Sequence, residues 1–405
     1  MWHIYGKQYD LTEFIPNHPG GKEILINTKG QEDITALFET YHAFSDKGNI
    51  LSILEKYKVG ETQAESKYDF TLYNELLNTI KLNTPFKNRT AIKAKALYYC
   101  QNIIALTLYI ICVYNATSLN FSLTASSLFA TIAGMLWMSI GFNIMHDGSH
   151  YAISTNPKVN NLLSYAWNSF GLWNHTLWFF HHVYYHHSFT NQDNDPDVYH
   201  YTPFAKKNNK NKKVFHFGKY TKYIILSVAY IFPGFYTGQA FVYFMEGYLK
   251  KKLLTIKLPK DIQYYSAYEI CLSLLKIYIL TRLRLPALLS YIVSINVFYH
   301  MNIIGDHDTY ETHVENKYTG NDFLKIQVCN SANFCTDSIL WTHVFGGINY
   351  QIEHHLFPNM NHKHYPLISQ FVRDFCKQKN IPYVEHRSIM DVYTSFIKTI
   401  DYHSL

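Results

Sequence analysis

The sequence predicts a small N-terminal α+β domain followed by an all-α polytopic membrane domain. The second part should have about four transmembrane helices and a helical cap on the cytosolic side. Three observations predict this. The first 60 residues are polar and open on a strand-like run, Trp2-His3-Ile4-Tyr5. Long apolar stretches begin at residue 97. The 22 histidines gather just beyond those stretches instead of being spread evenly. The expected limits are 1–62 for the soluble domain, 63–96 for a linker without a long apolar run, and 97–405 for the membrane domain.

Bulk properties narrow the function classes. The chain has 405 residues and a net charge of +6. That charge is too diffuse for nucleic-acid binding but suits a surface facing an anionic cytoplasmic leaflet. Aromatic residues make up 17% of the chain, 35 of them Tyr, as expected where side chains sit at a membrane–water boundary. Six cysteines form no Cys-x-x-Cys pair, and they read as reduced packing residues. No cleavable signal segment is visible at the start, because charged residues arrive within ten positions. Membrane entry is therefore expected from internal spans.

Residues 97–114 and 121–145 contain no charged side chain, and each approaches the roughly 20 residues needed to cross a bilayer. A short link makes them a helical hairpin. The run KKNNKNKK at 206–213 marks its side of the membrane as cytoplasmic. Three further apolar stretches follow, at 223–245, 266–281 and 285–301. If all the histidine clusters meet at one site, an even number of crossings must separate 146 from 354. Two of the three stretches then span and one lies at the interface. The Lys-rich 250–260 segment favours 266–281 and 285–301 as the spanning pair.

His18-Pro19-Gly20-Gly21 places a histidine on a turn whose glycines let the backbone approach a flat macrocycle. His42, at the end of Phe38-Glu39-Thr40-Tyr41-His42, is the candidate for a second axial ligand. Two neutral imidazoles would saturate an iron, leaving a centre that passes electrons and binds no oxygen.

Three further clusters stand out: His146-Asp147-Gly148-Ser149-His150, His182-Val183-Tyr184-Tyr185-His186-His187, and Gln351-Ile352-Glu353-His354-His355. On a helix, positions i and i+4 share a face. His146 should therefore converge with His150, His182 with His186, and Gln351 with His354 and His355. His181 should point elsewhere, and His3, His175, His216, His313 and His386 read as ordinary polar residues. Imidazole suits iron, copper and zinc alike. A zinc hydrolase needs only three ligands and an open water, and it would leave the N-terminal domain unexplained. Two irons activating O2 account better for the number of imidazoles and for an appended electron carrier. A membrane-anchored electron carrier with vestigial clusters is the rival from another class.

Residues 2–60, from WHIYGKQYDLTEFIPNHPGG through FETYH, resemble a cytochrome b5 domain. That resemblance implies haem b ligated by His18 and His42. The three histidine boxes and their spacing to the apolar spans resemble membrane fatty acid desaturases. The fused domain and the opening QIEHH resemble the front-end acyl group and the related sphingolipid Δ8-desaturases. The resemblance implies two non-haem irons bound by His146, His150, His182, His186, His187, Gln351, His354 and His355. It also implies a further ligand on the helix before the third box. There His300 is the candidate, with Asn296 weak or water-mediated and His307 the rival. Val183 stands where that group commonly has Asn.

The implied partners are a fatty acyl-CoA or phospholipid-linked acyl substrate, O2, NADH-cytochrome b5 reductase and the lipid bilayer. The implied location is the endoplasmic reticulum, with the haem domain and the boxes facing the cytosol. A sphingolipid long-chain-base desaturase and an acyl hydroxylase would use the same site.

Overall fold

The N-terminal sheet starts from a tight hairpin. Trp2–Ile4 pairs antiparallel with Lys7–Tyr9, Trp2 opposite Tyr9. The two loop residues, Tyr5 and Gly6, both have positive φ (53° and 71°), the two-residue turn whose twist matches that of the flanking strands. Lys58–Glu61 adds the third strand beside Lys7–Tyr9. The helices Lys22–Thr28, Thr35–His42 and Lys47–Glu55 lie between the second and third strands in sequence. Trp2 is fully buried, and its indole donates to the Leu25 carbonyl at 2.9 Å. The computed structural model describes residues 1–61, 67–199, 217–230, 252–253, 256–259, 262 and 266–403.

The membrane part is helical. Ala96–Thr117 and Leu123–Ile140 form the expected hairpin, and the second starts at Ser122, whose side chain accepts from the Ala125 amide. Each helix lacks a charged residue, so nothing in it calls for water. Leu97, Ile103, Ile104, Ile110 and Ile111 are exposed on the first, an outward apolar face of the kind that marks a membrane surface. Leu285–Asp306 crosses Leu123–Ile140 closely. A Cβ built at Gly134 would stand 2.7 Å from the Tyr291 carbonyl oxygen, so only glycine permits this approach.

Three described helical stretches are long and apolar enough to cross a membrane: Ala96–Thr117, Leu123–Ser149 and Leu285–Glu315. The expected span at 266–281 is a helix of 15 residues, Ala267–Thr281. At 1.5 Å per residue it is about 22 Å long, short of the roughly 30 Å hydrocarbon core. Of the stretch 223–245, the described part continues the helix Thr221–Tyr230. Residues 231–245, the basic run at 206–213, and residues 250–251, 254–255 and 260 of the Lys-rich segment lie outside the described residues.

The 63–96 stretch differs from the linker expected. Thr71–Asn83 is an amphipathic helix that buries Tyr73, Leu76, Leu77 and Ile80. It packs with Phe323–Cys329 and Tyr365–Gln378 in one core. Its apolar residues are too widely spaced to form an unbroken run, and so they escape a search for runs.

Candidate functional site

Two cavities hold the candidate residues. The first lies in the N-terminal domain, has a volume of ≈ 280 Å³, and is lined by His18, Gly20, Phe38 and His42. His18 Nδ1 donates to the Gly21 carbonyl at 2.9 Å, and His42 Nδ1 donates to the Phe38 carbonyl at 2.8 Å. With both Nδ1 protons committed, each Nε2 offers its lone pair. The ring centroids stand 6.3 Å apart, leaving room for one metal atom between facing nitrogens. A Cβ at Gly20 would sit 2.7 Å from His18 Cε1, so the glycine keeps the ring in place. Burial lowers both imidazoles' pKa, that of His42 to about 4. Two neutral imidazoles across an apolar slot fit a bis-histidine haem.

The second site lies where all three boxes meet. His146 Nε2 lies 2.9 Å from His182 Nε2, and the His146 ring centroid lies 4.5 Å from that of His354. His146, His150, His182 and His354 form one group of convergent nitrogens. His186, His307 and His355 form another. His187 faces both, with ring centroids 4.6 Å from His150 and 4.2 Å from His355.

Hydrogen bonds at Nδ1 aim the rings. His186 is held by Asp195 at 3.1 Å, His307 by the Asn330 carbonyl at 2.8 Å, and His355 by Gln327 Oε1 at 2.8 Å. His354 is held by the Tyr365 hydroxyl at 3.2 Å, and His150 by the Tyr41 hydroxyl at 2.9 Å. Such partners fix the tautomer that leaves Nε2 free to ligate. Burial first, and then neighbouring imidazoles, hold His150, His182, His187, His354 and His355 well below the ordinary range. Neutral lone pairs meeting head-on repel one another, and the Nε2 atoms of His150 and His354 have no hydrogen-bond partner. Metal ions between these nitrogens would relieve both defects, so the residues fit a metal centre.

Two expectations are corrected by this geometry. The second box is not a regular α-helix. Phe179–His186 is a π-helical turn, in which i and i+5 align, a form often found at functional sites. His182 therefore meets His187, with Nε2 atoms 3.3 Å apart, while His186 turns towards His307 and His355. The extra residue of the last span is also different. His300 is buried against the Tyr230 and Phe396 rings, and among the described residues it belongs to no group of convergent ligand atoms; Asn296, one turn before it, is buried on the same helix. His307 takes the place expected of His300, 3.2 Å from His186 Nε2 and 3.0 Å from His355 Nε2. Gln351 does join the site, its side-chain amide 2.9 Å from His307 Nε2.

His181 joins no ligand group among the described residues and is paired with Asp197, although it borders the same cavity as His182 and His186. His175 is an ordinary core residue bonded to Ser164 at 2.9 Å. His216 lies outside the described residues. The sequence reading missed the partners Asp195, Gln327, Asn330 and Tyr365. Only Asp195 had a signal, the acidic run Asp193-Asn194-Asp195-Pro196-Asp197 beside the second box.

Comparison with known proteins agrees with both sites. Residues 1–63 match the model of the cytochrome b5-like haem/steroid binding domain, and residues 122–387 match that of the fatty acid desaturases. The acyl-lipid (8-3)-desaturase of Mortierella alpina is 26% identical over 419 residues, covering 98% of this chain and 92% of that protein. The Delta(5) fatty acid desaturase A of Dictyostelium discoideum is 28% identical, covering 94% and 85%. The Delta(8)-fatty-acid desaturase of Borago officinalis is 26% identical, covering 98% and 89%. With a matching model over roughly two thirds of its length and a haem-binding domain ahead of it, the chain belongs to the fatty acid desaturase family, as a front-end desaturase with a fused cytochrome b5 domain.

Proposed function

We propose that this oxidoreductase acts on acyl-lipids and holds two non-haem irons, one in each group of imidazoles. His146, His150, His182 and His354 would bind the first. His186, His307 and His355 would bind the second, with Gln351 beside them and His187 facing both. The observation that carries this reading is the convergence of buried imidazole nitrogens in overlapping groups, among which His146, His150, His182 and His354 share no member with His186, His307 and His355, while His187 joins His354 and His355 between them. Irons bound there supply the O2-dependent removal of two hydrogens from adjacent methylenes, leaving a double bond and water. The acyl-lipid substrate and a new bond on the carboxyl side of the chain are taken from the names of the relatives.

The chain's own residues bind and orient. An apolar cavity bordered by Trp137, Met138, Gly141, Phe142 and Tyr299 opens onto His146, His182, His186, His307 and Gln351. It offers an acyl chain a dry path past both groups. Haem ligated by His18 and His42 supplies electrons, received in turn from NADH through cytochrome b5 reductase.

Four crossings complete the reading. The boxes meet at one place, which needs an even number of crossings between them, so Ala267–Thr281, though shorter than the hydrocarbon core, would supply the fourth beside Leu285–Asp306 and return the chain to the same side. That side is the cytosol, and the membrane is the endoplasmic reticulum. The units are 1–62 for haem, 97–405 for desaturation, and 63–96 as a packed connector.

Purified full-length protein should contain one haem and two further irons per chain, and yeast expressing it should accumulate newly unsaturated acyl-lipids when fed polyunsaturated precursors. Iron limited to the haem would sink the reading. A sphingolipid long-chain-base Δ8-desaturase would use the same site, and new double bonds confined to long-chain bases in the same lipid profile would select it.

A further inference from the structure

Five of the cluster imidazoles have a partner at Nδ1. Four of those partners, Asp195, Gln327, Asn330 and Tyr365, come from the desaturase unit itself. The fifth, the Tyr41 hydroxyl on His150, comes from the haem domain, 109 residues away in sequence. Tyr41 immediately precedes His42, the candidate haem ligand, on the same helix. The juxtaposition is built into the fold. Asn359, three residues beyond the third-box helix, donates to the Tyr41 carbonyl at 2.8 Å, and the Tyr41 ring lies beside Tyr151, with centroids 6.4 Å apart. The haem cavity itself extends to Tyr151 and Asn359 of the desaturase unit. His150 is buried and Tyr41 half-buried, so their hydrogen bond is largely kept from solvent.

We propose that Tyr41 is a positioning residue shared by the two centres. It orients His150 for its metal, and it carries electrons from the haem through the covalent link to His42 and the hydrogen bond to His150. The proposal rests on the reading that the cluster binds iron. When His150 ligates through Nε2, its proton sits on Nδ1 and the Tyr41 oxygen accepts it. One electron crosses per step. Ferrous haem becomes ferric, a ferric iron of the cluster becomes ferrous, and the proton stays on Nδ1. No bond forms or breaks. A consequence is that separate cytochrome b5 is a poor substitute for the fused domain, because it must dock and present the same hydroxyl to His150.

Tyr41→Phe tests this in the full-length holoenzyme, since it keeps the ring and deletes only the hydroxyl. Iron content of the unaltered protein comes first. If it holds haem but no further iron, the iron reading fails on that measurement alone. With iron present, the variant should keep an unchanged low-spin haem spectrum. Its iron should be lost to a chelator about 10-fold faster, and its reduced haem should be reoxidised about 10-fold more slowly in the presence of O2 and substrate. Tyr73→Phe is the control. It removes another buried tyrosine hydrogen bond, from Tyr73 on the connector helix to the Leu356 carbonyl at 3.1 Å, which ends on no imidazole. It should reoxidise at the unaltered rate. Unaltered iron release and haem reoxidation in Tyr41→Phe overturn the proposal, and so does equal slowing in both variants.

Discussion

His307 Nε2 lies 3.0 Å from His355 Nε2, although 48 residues separate the two in sequence. His300, on the same helix, instead packs against Tyr230 and Phe396. This contrast sets the first prediction. His307→Ala should lower desaturation by at least about 100-fold and reduce iron content, leaving the haem spectrum intact. His300→Leu should retain its full iron content. The check is iron analysis beside product yield in both variants, and iron loss confined to His300→Leu would reverse the assignment.

Asp195 is fully buried and accepts from His186 Nδ1 at 3.1 Å as well as from the Asn191 amide at 2.7 Å. Replacing it with Asn removes the charge that makes His186 a stronger donor to metal. Such changes behind a ligand cost about 10–100-fold in metal affinity or activity. Asp195→Asn should therefore titrate with iron at higher concentration while folding normally. An unchanged iron titration would show that His186 does not depend on this carboxylate.

The haem domain gives a pH prediction. Burial lowers His42 from its ordinary value of 6.5 to about 4, so the folded domain favours the neutral ring. An unfolded chain takes up this proton below 6.5, whereas the folded one resists until about 4. The stabilisation is fully present above 6.5 and is lost as pH falls through the folded value. The low-spin haem spectrum should persist at pH 5 and be lost only at lower pH, because a metal on Nε2 would hold the proton off further. Haem loss already complete at pH 6 would contradict burial of this imidazole.

Gly20 gives a prediction from packing. A Cβ there would stand 2.7 Å from His18 Cε1, closer than non-bonded carbon atoms approach. Gly20→Ala must push the His18 ring or its backbone aside, an overpacking cost of about 1–3 kcal/mol. Haem occupancy should fall and the thermal midpoint of the N-terminal domain with it, both measurable by absorbance during heating. Unchanged occupancy would show that the turn can yield.

How much of this was legible depends on the distance over which each feature is determined. The haem turn and the apolar hairpin are local, and both follow from consecutive residues. The clusters were legible as chemistry, but their partition was not. The i, i+4 rule pairs His182 with His186, whereas the π-helical turn pairs His182 with His187. His300 and His307 are seven residues apart, which on an unbroken helix would give them one face. The helix ends at Asp306, and His307 is its cap residue with non-helical φ −131° and ψ −3°, so spacing does not fix where its ring points. The link between Tyr41 and His150 depends on how two units dock, and no periodicity in either encodes it.

The last prediction concerns substrate length. Gly141 lies where Leu123–Ile140 passes into the π-helical turn that presents His146, and it borders the apolar cavity together with Trp137, Met138 and Trp167. A Cβ there would come no closer than 3.4 Å to the Trp167 indole nitrogen, so the backbone tolerates a side chain. Gly141→Leu should therefore fold, keep its iron and fill part of the cavity with three further carbons beyond Cβ. Each methylene excluded from such a pocket changes discrimination by about 10-fold or more. Long acyl chains should be desaturated less well and shorter ones relatively better, with total iron unchanged. The product distribution from a mixed feed, read by mass spectrometry, decides the point. A uniform loss across all lengths would mean that the acyl chain takes another path past the histidines.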